Sequence, residues 1–278
     1  MQAGTDITLR LRMVPMQRIV ISATLLVTLS AAPHAIARHR APLPMQADKL
    51  LLLLDDAVDA HNIPRIHRII RTLVVLDHHG KKAIRKRLRE PRTPSLRYVL
   101  TALSRMTPSV RRIAAPLLSH SDASIRQQAA IAVSGADHKL LIQAFHNERQ
   151  TPVREALIES IANSDHKRAG EFLTGLLRSP EPDIRIAAIN GLVLQAERPP
   201  LPELHALTRD AEPTVRRATV IALGTVGESK TLRVLLDLVR LEDDAGNVRA
   251  IFDALRSLSG QSLKDDADEW QRWLTAGS

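Results

Sequence analysis

The sequence predicts an all-α fold, a right-handed α-solenoid of about six to seven two-helix repeats, from three observations. Only 2% of its 278 residues are aromatic, whereas a compact globular core relies on aromatic area. A short phrase recurs at a nearly constant interval. Between its copies, apolar residues follow the three-and-four spacing of amphipathic helices. Helices with broad apolar faces at a fixed period are typical of stacked repeats, which bury those faces against their neighbours.

The recurring phrase consists of an acidic or polar residue, often followed by proline, then a variable residue, an aliphatic residue and an arginine. Its clearest copy runs from Glu212 to Arg216, and an Ala-rich stretch follows. A copy without the arginine lies earlier, at Pro64 to Ile66. In the six copies that have the arginine, including the clearest one, the aliphatic residue stands at positions 96, 125, 153, 184, 215 and 248, at intervals of 28 to 33 residues. The repeat arginines are Arg97, Arg126, Arg154, Arg185, Arg216 and Arg249.

Each period is long enough for two helices, as the residues after Glu212 show most clearly. Pro213 suits the first turn of a helix, and Gly224 and Gly227 are predicted to end that helix. A second helix is predicted over residues 228–240, where leucine and valine side chains supply broad apolar faces. One helix cannot bury such faces alone, so we expect the neighbouring repeats to cover them.

The stretch from Val215 to Gly224 is similar to the first helix of a HEAT repeat, and in particular resembles the short HEAT-like repeats of the phycobilin lyases. The resemblance extends from about residue 60 to the C-terminus, and residues 63–259 are predicted to form the repeats. The C-terminal string from Gly260 to Trp273 resembles the ending of many bacterial HEAT-like proteins, which suggests a bacterial member of the family. The prediction that this member is exported rests on the N-terminal residues described below. The resemblance implies an α-solenoid and a protein-binding role.

The same resemblance implies that the repeat arginines are structural. In that family, each such arginine pairs with an acidic group at an adjacent turn and so contributes to a ladder along the stack. Arg126, Arg185 and Arg216 follow an acidic residue by four positions, whereas Arg154 and Arg249 do not. We therefore expect gaps in the ladder at those two arginines.

Residues 1–37 have the layout of a cleavable secretory signal. Three arginines precede the apolar run Ile19 to Ala32, and a small-residue triplet ends at Ala37. The apolar run has 14 residues, whereas a spanning helix needs about 20, so a permanent membrane tether is disfavoured. We predict cleavage after Ala37 and a periplasmic or secreted protein, with Met16 as an alternative start of translation.

The two ends of the repeat array depart from the period. Residues 38–62 are predicted to contain a linker and an N-terminal capping helix. Residues 260–278 are predicted to form a C-terminal cap, in which Trp270 and Trp273 lie on one helix face. A calcium site is an alternative for the neighbouring aspartates, although no Gly-centred loop with a distal Glu accompanies them. These aspartates are Asp265, Asp266 and Asp268.

Charge is divided unevenly along the chain. Residues 38–120 carry 17 Lys and Arg against 6 Asp and Glu, whereas residues 121–278 carry 19 against 23. Positive charge is densest between Lys81 and Arg92, where a single helix is predicted. Like charges at this density repel one another unless an anion or acidic partner is near, so this basic stripe is a candidate contact for an anionic partner. A solvated outer face is the alternative. The basic stripe comprises Lys81, Lys82, Arg85, Lys86, Arg89 and Arg92, with Arg111 and Arg112 as its extension in the next repeat.

Nucleic acid is disfavoured as the partner. The signal would remove the protein from cellular DNA, and one Tyr and three Phe offer few platforms for base stacking. An unidentified protein, acidic where it meets the basic stripe, or an anionic envelope surface is the partner we expect. No transmembrane span is predicted in the mature chain.

Catalytic and metal-binding patterns are not found. The chain has no Cys, and His138 and His146 are eight residues apart without an evident third ligand. No His precedes Glu, the dipeptide by which the HEAT-like deoxyhypusine hydroxylases hold iron, and no phosphate loop or nucleophile elbow is present. We predict a non-enzymatic scaffold for protein–protein interaction in the cell envelope or outside the cell, without a cofactor. The alternatives are an enzyme of the phycobilin-lyase type and a basic solenoid that binds an anionic polymer or membrane surface.

Overall fold

The computed structural model describes residues 43–89, 95–135, 137–164, 166–195 and 200–276. The predicted signal, residues 1–37, and Arg92 of the basic stripe lie outside these ranges. Within them all regular secondary structure is helical, and the helices stack as an α-solenoid, which confirms the predicted fold class. No helix in these ranges combines the length and the apolar character needed to cross a membrane.

Fifteen α-helices and two 3₁₀ helices follow one another along the described residues. The α-helices are α1 (Leu43–Asp59), α2 (Ile63–Leu76), α3 (Lys81–Arg87), α4 (Leu96–Leu103), α5 (Pro108–Arg111), α6 (Ala123–Val133), α7 (His138–Asn147), α8 (Thr151–Ala162), α9 (Lys167–Leu176), α10 (Pro182–Leu194), α11 (Leu201–Leu207), α12 (Pro213–Val226), α13 (Ser229–Val239), α14 (Ala245–Ser259) and α15 (Ala267–Ala276). The 3₁₀ helices are Asp77–Gly80 and Arg112–Ser119.

The helices form two layers. The even-numbered helices from α2 to α14 pack side by side as an inner layer, each against the next. The odd-numbered helices form the outer layer, in which α5 continues into the 3₁₀ helix Arg112–Ser119. From α5 onward, each outer element precedes and packs against the inner helix of its own repeat, and α15 closes the array against α13. The recurring phrase therefore marks the start of each inner helix.

The phrase starts an inner helix because each of its residue types suits the first turn. Pro182 and Pro213 stand at the beginning of their helices, where the missing N–H of proline costs no hydrogen bond. In α6 the side chain of Asp122 accepts a hydrogen bond of 2.7 Å from the backbone N–H of Ser124. The aliphatic residue then packs into or against the core: Ile184 and Val215 are buried completely, and Ile125 is partly buried. Sequence and local structure thus agree at every strong copy.

Gly224 does not end α12 as predicted, since the helix continues to Val226. A Cβ atom at Gly224 would lie 2.9 Å from the Cβ atom of Ala254 in α14 and 3.0 Å from its Cα atom. Gly224 is therefore required for the close approach of two inner helices, because no side chain fits between their backbones.

The first helix belongs to the stack itself. Helix α1 packs against α2 and α3, with Leu51 and Leu54 buried and Leu52 exposed. It starts at Leu43 and so includes most of the segment predicted to contain a linker and a capping helix.

At the other end, Trp270 of α15 is completely buried. Its indole Nε1 donates a hydrogen bond of 2.9 Å to the carbonyl oxygen of Lys264, and the ring of Trp273 meets it edge-on at 5.8 Å.

The three aspartates near this end contact protein groups. Asp265 accepts a hydrogen bond of 2.6 Å from Arg256, and Asp266 accepts one of 2.8 Å from the backbone N–H of Glu269. Asp268 lies 3.5 Å from Arg240. In the described ranges, no group of three or more His, Asp or Glu residues is placed to hold a metal ion.

Candidate functional site

Four arginine–carboxylate pairs form a ladder along the inner helices. In each pair, the arginine lies in the first turn of one inner helix and the carboxylate lies in the turn before the next inner helix. The closest N–O distance is 2.6 Å in the first pair and 2.7 Å in the third and fourth. The pairs are Arg126 with Glu148, Arg154 with Glu181, Arg185 with Asp210, and Arg216 with Glu242.

The same arginines also bind their own turns. Nη1 of Arg126 donates to the carbonyl oxygen of His120 over 2.8 Å, and Nη1 of Arg185 donates to that of Ser179 over the same distance. The guanidinium groups of Arg126, Arg185 and Arg216 therefore connect the turn of their own repeat to the turn of the following one. This arrangement keeps the spacing of the inner helices constant along the stack.

Two of the carboxylates are deeply buried, which makes their pairing essential. The side chains of Glu148 and Glu242 are 6% and 1% exposed. The hydrogen bonds from Arg126 and Arg216 lower the pKa of both carboxyl groups to about 2. Both carboxylates also accept backbone N–H bonds, so they remain charged inside the ladder.

The prediction of a gap in the ladder at Arg154 is wrong, because Arg154 pairs with Glu181. The acidic partner comes from the following repeat, so it does not have to precede the arginine by four positions. Arg249 is exposed, and no ion pair joins it to any described residue. Arg97 is exposed as well and stacks on the ring of Tyr98, with its guanidinium carbon 4.8 Å from the ring centroid. The four pairs thus connect the successive inner helices from α6 to α14.

The basic stripe is less regular than the sequence suggests. Helix α3 ends at Arg87, so the predicted helix to Arg92 is interrupted, and Arg89 lies in the turn that follows. Lys82, Arg85, Lys86 and Arg89 are exposed and Lys81 is half-buried. Arg87, between them in sequence, instead pairs with Asp55 of α1.

The two arginines predicted to extend the stripe occupy different environments. Arg111 lines a cavity of 460 Å³ together with Ser104, Ser134 and Asn163, which follow the C-terminal ends of three inner helices. Burial lowers the pKa of the Arg111 guanidinium. Arg112 is exposed, with its guanidinium 3.8 Å from a carboxylate oxygen of Asp137. Arg111 is therefore partly buried in a cavity, whereas Arg112 lies on the surface.

A groove that the sequence analysis missed crosses the inner layer. A single cavity of 610 Å³ is lined by residues of α6, α8, α10 and α12, four successive inner helices. Helices that are not neighbours can line one cavity only if the layer curves around it. The inner layer is therefore concave here, and this surface is called the concave groove below.

Apolar side chains are exposed in the concave groove. Ile131, Leu194 and Ile221 have exposed fractions of 37%, 61% and 56%. They come from α6, α10 and α12, and they account for three of the seven exposed large apolar side chains in the described ranges. Clustered apolar exposure beside polar residues is typical of a binding surface.

The groove also carries charged side chains of both signs. Its α8 and α10 part includes Glu155, Glu159 and Asp183. An adjoining cavity of 310 Å³ between α12 and α14 shares Ile221 and Thr225 with it. The charged residues that line this second cavity are Arg217, Arg249 and Asp253.

The two-layer helical stack with a concave, partly apolar groove defines a helical-repeat scaffold. Residues 170–256 match the family model of HEAT repeats, which confirms the predicted HEAT-like repeats for that part of the chain. Among solved structures, the X-ray structure of YibA from Escherichia coli is 17% identical, with a TM-score of 0.46, over 79% of this chain and 98% of that chain. An engineered protein is 14% identical, with a TM-score of 0.35, over 77% and 97%. No curated protein matches the chain.

Proposed function

We propose that the chain is a non-enzymatic scaffold that binds a segment of a partner protein in the concave groove. The observation that carries this proposal is the groove itself, where four inner helices line one cavity and three of them expose Ile131, Leu194 and Ile221 to solvent. Exposed apolar side chains in a concave site gain free energy when a partner covers them. HEAT repeats commonly have this kind of role, as their rigid stack supports an extended surface.

The test is capture of partners from the host by the tagged chain and by two variants. Leu194→Glu with Ile221→Glu places two charges in the groove, and we expect it to lose a partner that the parent chain retains. Leu52→Glu is the matched control, because Leu52 is 64% exposed but lies on α1. Equal capture by the groove variant, with its helical circular dichroism unchanged, would reject the proposal.

We also propose that the protein acts in the periplasm or outside the cell after cleavage following Ala37. The proposal is supported by the arginine-rich start, the short apolar run and the small-residue triplet of residues 1–37. N-terminal sequencing of the protein from the host is expected to begin at Arg38. A mature chain that retains residues 1–37 would contradict it.

The absence of catalysis is part of the proposal. The residues that line the concave groove include no His, Lys, Ser or Tyr. Its carboxylates Glu155, Glu159 and Asp183 are all exposed, whereas catalytic carboxylates are commonly tuned by burial. A protein purified from its host that carries bilin absorbance or a stoichiometric metal would favour the enzymatic alternative.

Binding of an anionic surface is a second candidate function, favoured by the exposure of Lys82, Arg85, Lys86 and Arg89. Sedimentation with phosphatidylglycerol vesicles tests it, with Lys81, Arg85 and Arg89 changed to Glu. The control changes three exposed arginines elsewhere to Glu and so has the same net charge. Loss of vesicle binding only in the first variant, and weaker binding of the parent at high salt, are expected. Equal binding by both variants would reject this function. The control positions are Arg178, Arg209 and Arg233.

A further inference from the structure

The charged side chains of the concave groove are separated by sign along the stack. Asp253 of α14 also lines the second cavity, but it is paired with Arg256 over 2.6 Å. Of the other charged side chains, Glu155 and Glu159 of α8 and Asp183 of α10 form an acidic part, and Arg217 of α12 and Arg249 of α14 form a basic part. Within the described ranges, none of these five side chains takes part in an ion pair or hydrogen bond. They contrast with the ladder, whose charges neutralise one another inside the turns.

Leu194 of α10 and Ile221 of α12 lie where the acidic part meets the basic part, whereas Ile131 of α6 lies beyond the acidic part. Ile221 belongs to both cavities and so connects them. Packed helices lie about 9 Å apart, so the five inner helices from α6 to α14 cover about 36 Å. An extended chain of about 11 residues has this length. The acidic and basic parts are two helix spacings, about 18 Å, apart, which corresponds to about five or six extended residues.

We infer that the groove binds an amphipathic protein segment with opposite charges at its two ends. Lysines or arginines of the segment lie over α8 and α10, apolar side chains contact Leu194 and Ile221, and acidic residues lie over α12 and α14. Charge complementarity supports this choice of partner, because each unpaired group in the groove then has an opposite charge beside it. A segment with one sign of charge throughout would be repelled at one end. The inference rests on the proposed function and adds the chemical class of the partner.

Four fluorescein-labelled synthetic peptides of 12 residues serve as probes, measured by fluorescence anisotropy with the mature chain. All have the same leucine-containing centre. They differ only at the two residues at each end. The first peptide has two lysines at one end and two glutamates at the other, and the second has glutamine at all four positions. The third has lysine at all four positions, and the fourth has glutamate. We expect the first to bind at least about fivefold more tightly than the others at low salt, since several exposed ion pairs each contribute weakly.

Charge reversal in the protein makes the test specific. The variant Glu155→Lys with Glu159→Lys makes both parts of the groove basic, and it is expected to prefer the acidic peptide. The variant Arg217→Glu with Arg249→Glu makes both parts acidic, and it is expected to prefer the basic peptide. A control variant, Lys82→Glu with Arg85→Glu in α3, is expected to keep the preference of the parent chain.

The outcomes separate the two proposals. If the uncharged peptide binds as tightly as the first, and Leu194→Glu abolishes binding of both, the charge inference is overturned and the groove remains a binding site. A fifth peptide of the same length, with polar residues in place of the leucines, serves as a control. If none of the four probes binds more tightly than this control, both the charge inference and the proposed groove function are overturned. If the chain self-associates in analytical ultracentrifugation and Leu194→Glu abolishes this, a second copy occupies the groove and the inference is overturned.

Discussion

Arg216 donates two hydrogen bonds of 2.7 Å, from Nε and Nη2, to the carboxylate of Glu242, which lies 26 residues further along the chain. Nη1 of the same guanidinium donates to the carbonyl oxygen of Asp210 over 3.0 Å. One side chain thus connects the turns before α12 and α14. Because Glu242 is almost completely buried, the connection stabilises the stack only while both charges are present.

Removal of one rung should therefore destabilise the protein strongly. Arg216→Ala leaves the Glu242 carboxylate buried without its partner, and we expect a loss of about 3–5 kcal/mol in the free energy of unfolding. Arg249→Ala is the matched control, since Arg249 has the same place in its repeat but is exposed and outside the ladder. A change of less than about 0.5 kcal/mol is expected there. Urea unfolding followed by circular dichroism measures both, and equal losses would contradict a ladder.

The ladder also predicts the direction of acid sensitivity. The folded-state pKa of Glu148 and Glu242 is about 2, below the ordinary value of 4.5. The stability that these two ionised carboxylates give to the folded protein is therefore complete above about pH 4.5, and it is lost as the pH falls towards 2. A shift of this size corresponds to about 3 kcal/mol for each carboxylate. Urea midpoints between pH 7 and pH 2 measure this loss. Glu242→Gln should be less stable at pH 7 and lose less on acidification; an unchanged acid loss would argue against the assignment.

Two glycine substitutions should have opposite effects. Gly224→Ala places a methyl group against the backbone of Ala254, so a loss of about 1–3 kcal/mol is expected despite the higher helix propensity of alanine. Gly175→Ala in α9 meets no atom within 4 Å and should stabilise the protein by about 0.5–1 kcal/mol. Thermal and urea unfolding of both variants test this. Stabilisation by Gly224→Ala would show that α12 and α14 are not in close contact.

The C-terminal cap should depend on one of its two tryptophans. Trp270→Ala removes a completely buried indole and its hydrogen bond to Lys264, and a loss of about 3–5 kcal/mol is expected. Trp273→Ala removes a partly exposed ring and should cost markedly less. Since these are the two tryptophans of the chain, the fluorescence of each single variant reports the remaining one. Equal losses would indicate that α15 does not pack as described.

The sequence was sufficient to predict the fold because the recurring phrase starts an inner helix in every repeat and places an aliphatic residue in or against the core. It was not sufficient for the ladder, because the acid that pairs with Arg154 is Glu181, 27 residues later. A carboxylate shortly before each following phrase is a signal that sequence reasoning could have used. Its pairing depends on how the repeats stack, which the local sequence around one arginine does not contain.

The concave groove was missed for a related reason. Ile131 and Ile221 stand six residues after the aliphatic residue of their phrases, and Glu159 and Asn190 have the same place in theirs. These positions lie on one face of successive inner helices, so a comparison of repeats could have drawn attention to them. They are exposed because no other described element covers this face of the inner layer. The charge excess of residues 38–120 drew attention to α3 instead.

The most direct test is photo-crosslinking at defined positions in the host. A photoreactive phenylalanine derivative replaces Leu194 or Ile221 in the groove, or Leu52 on α1 as a control of similar exposure. If the partner binds in the concave groove, both groove positions give an adduct with the same partner and Leu52 gives none. An adduct of equal yield from Leu52, or none from either groove position while the chain still captures its partner, would contradict binding in the groove.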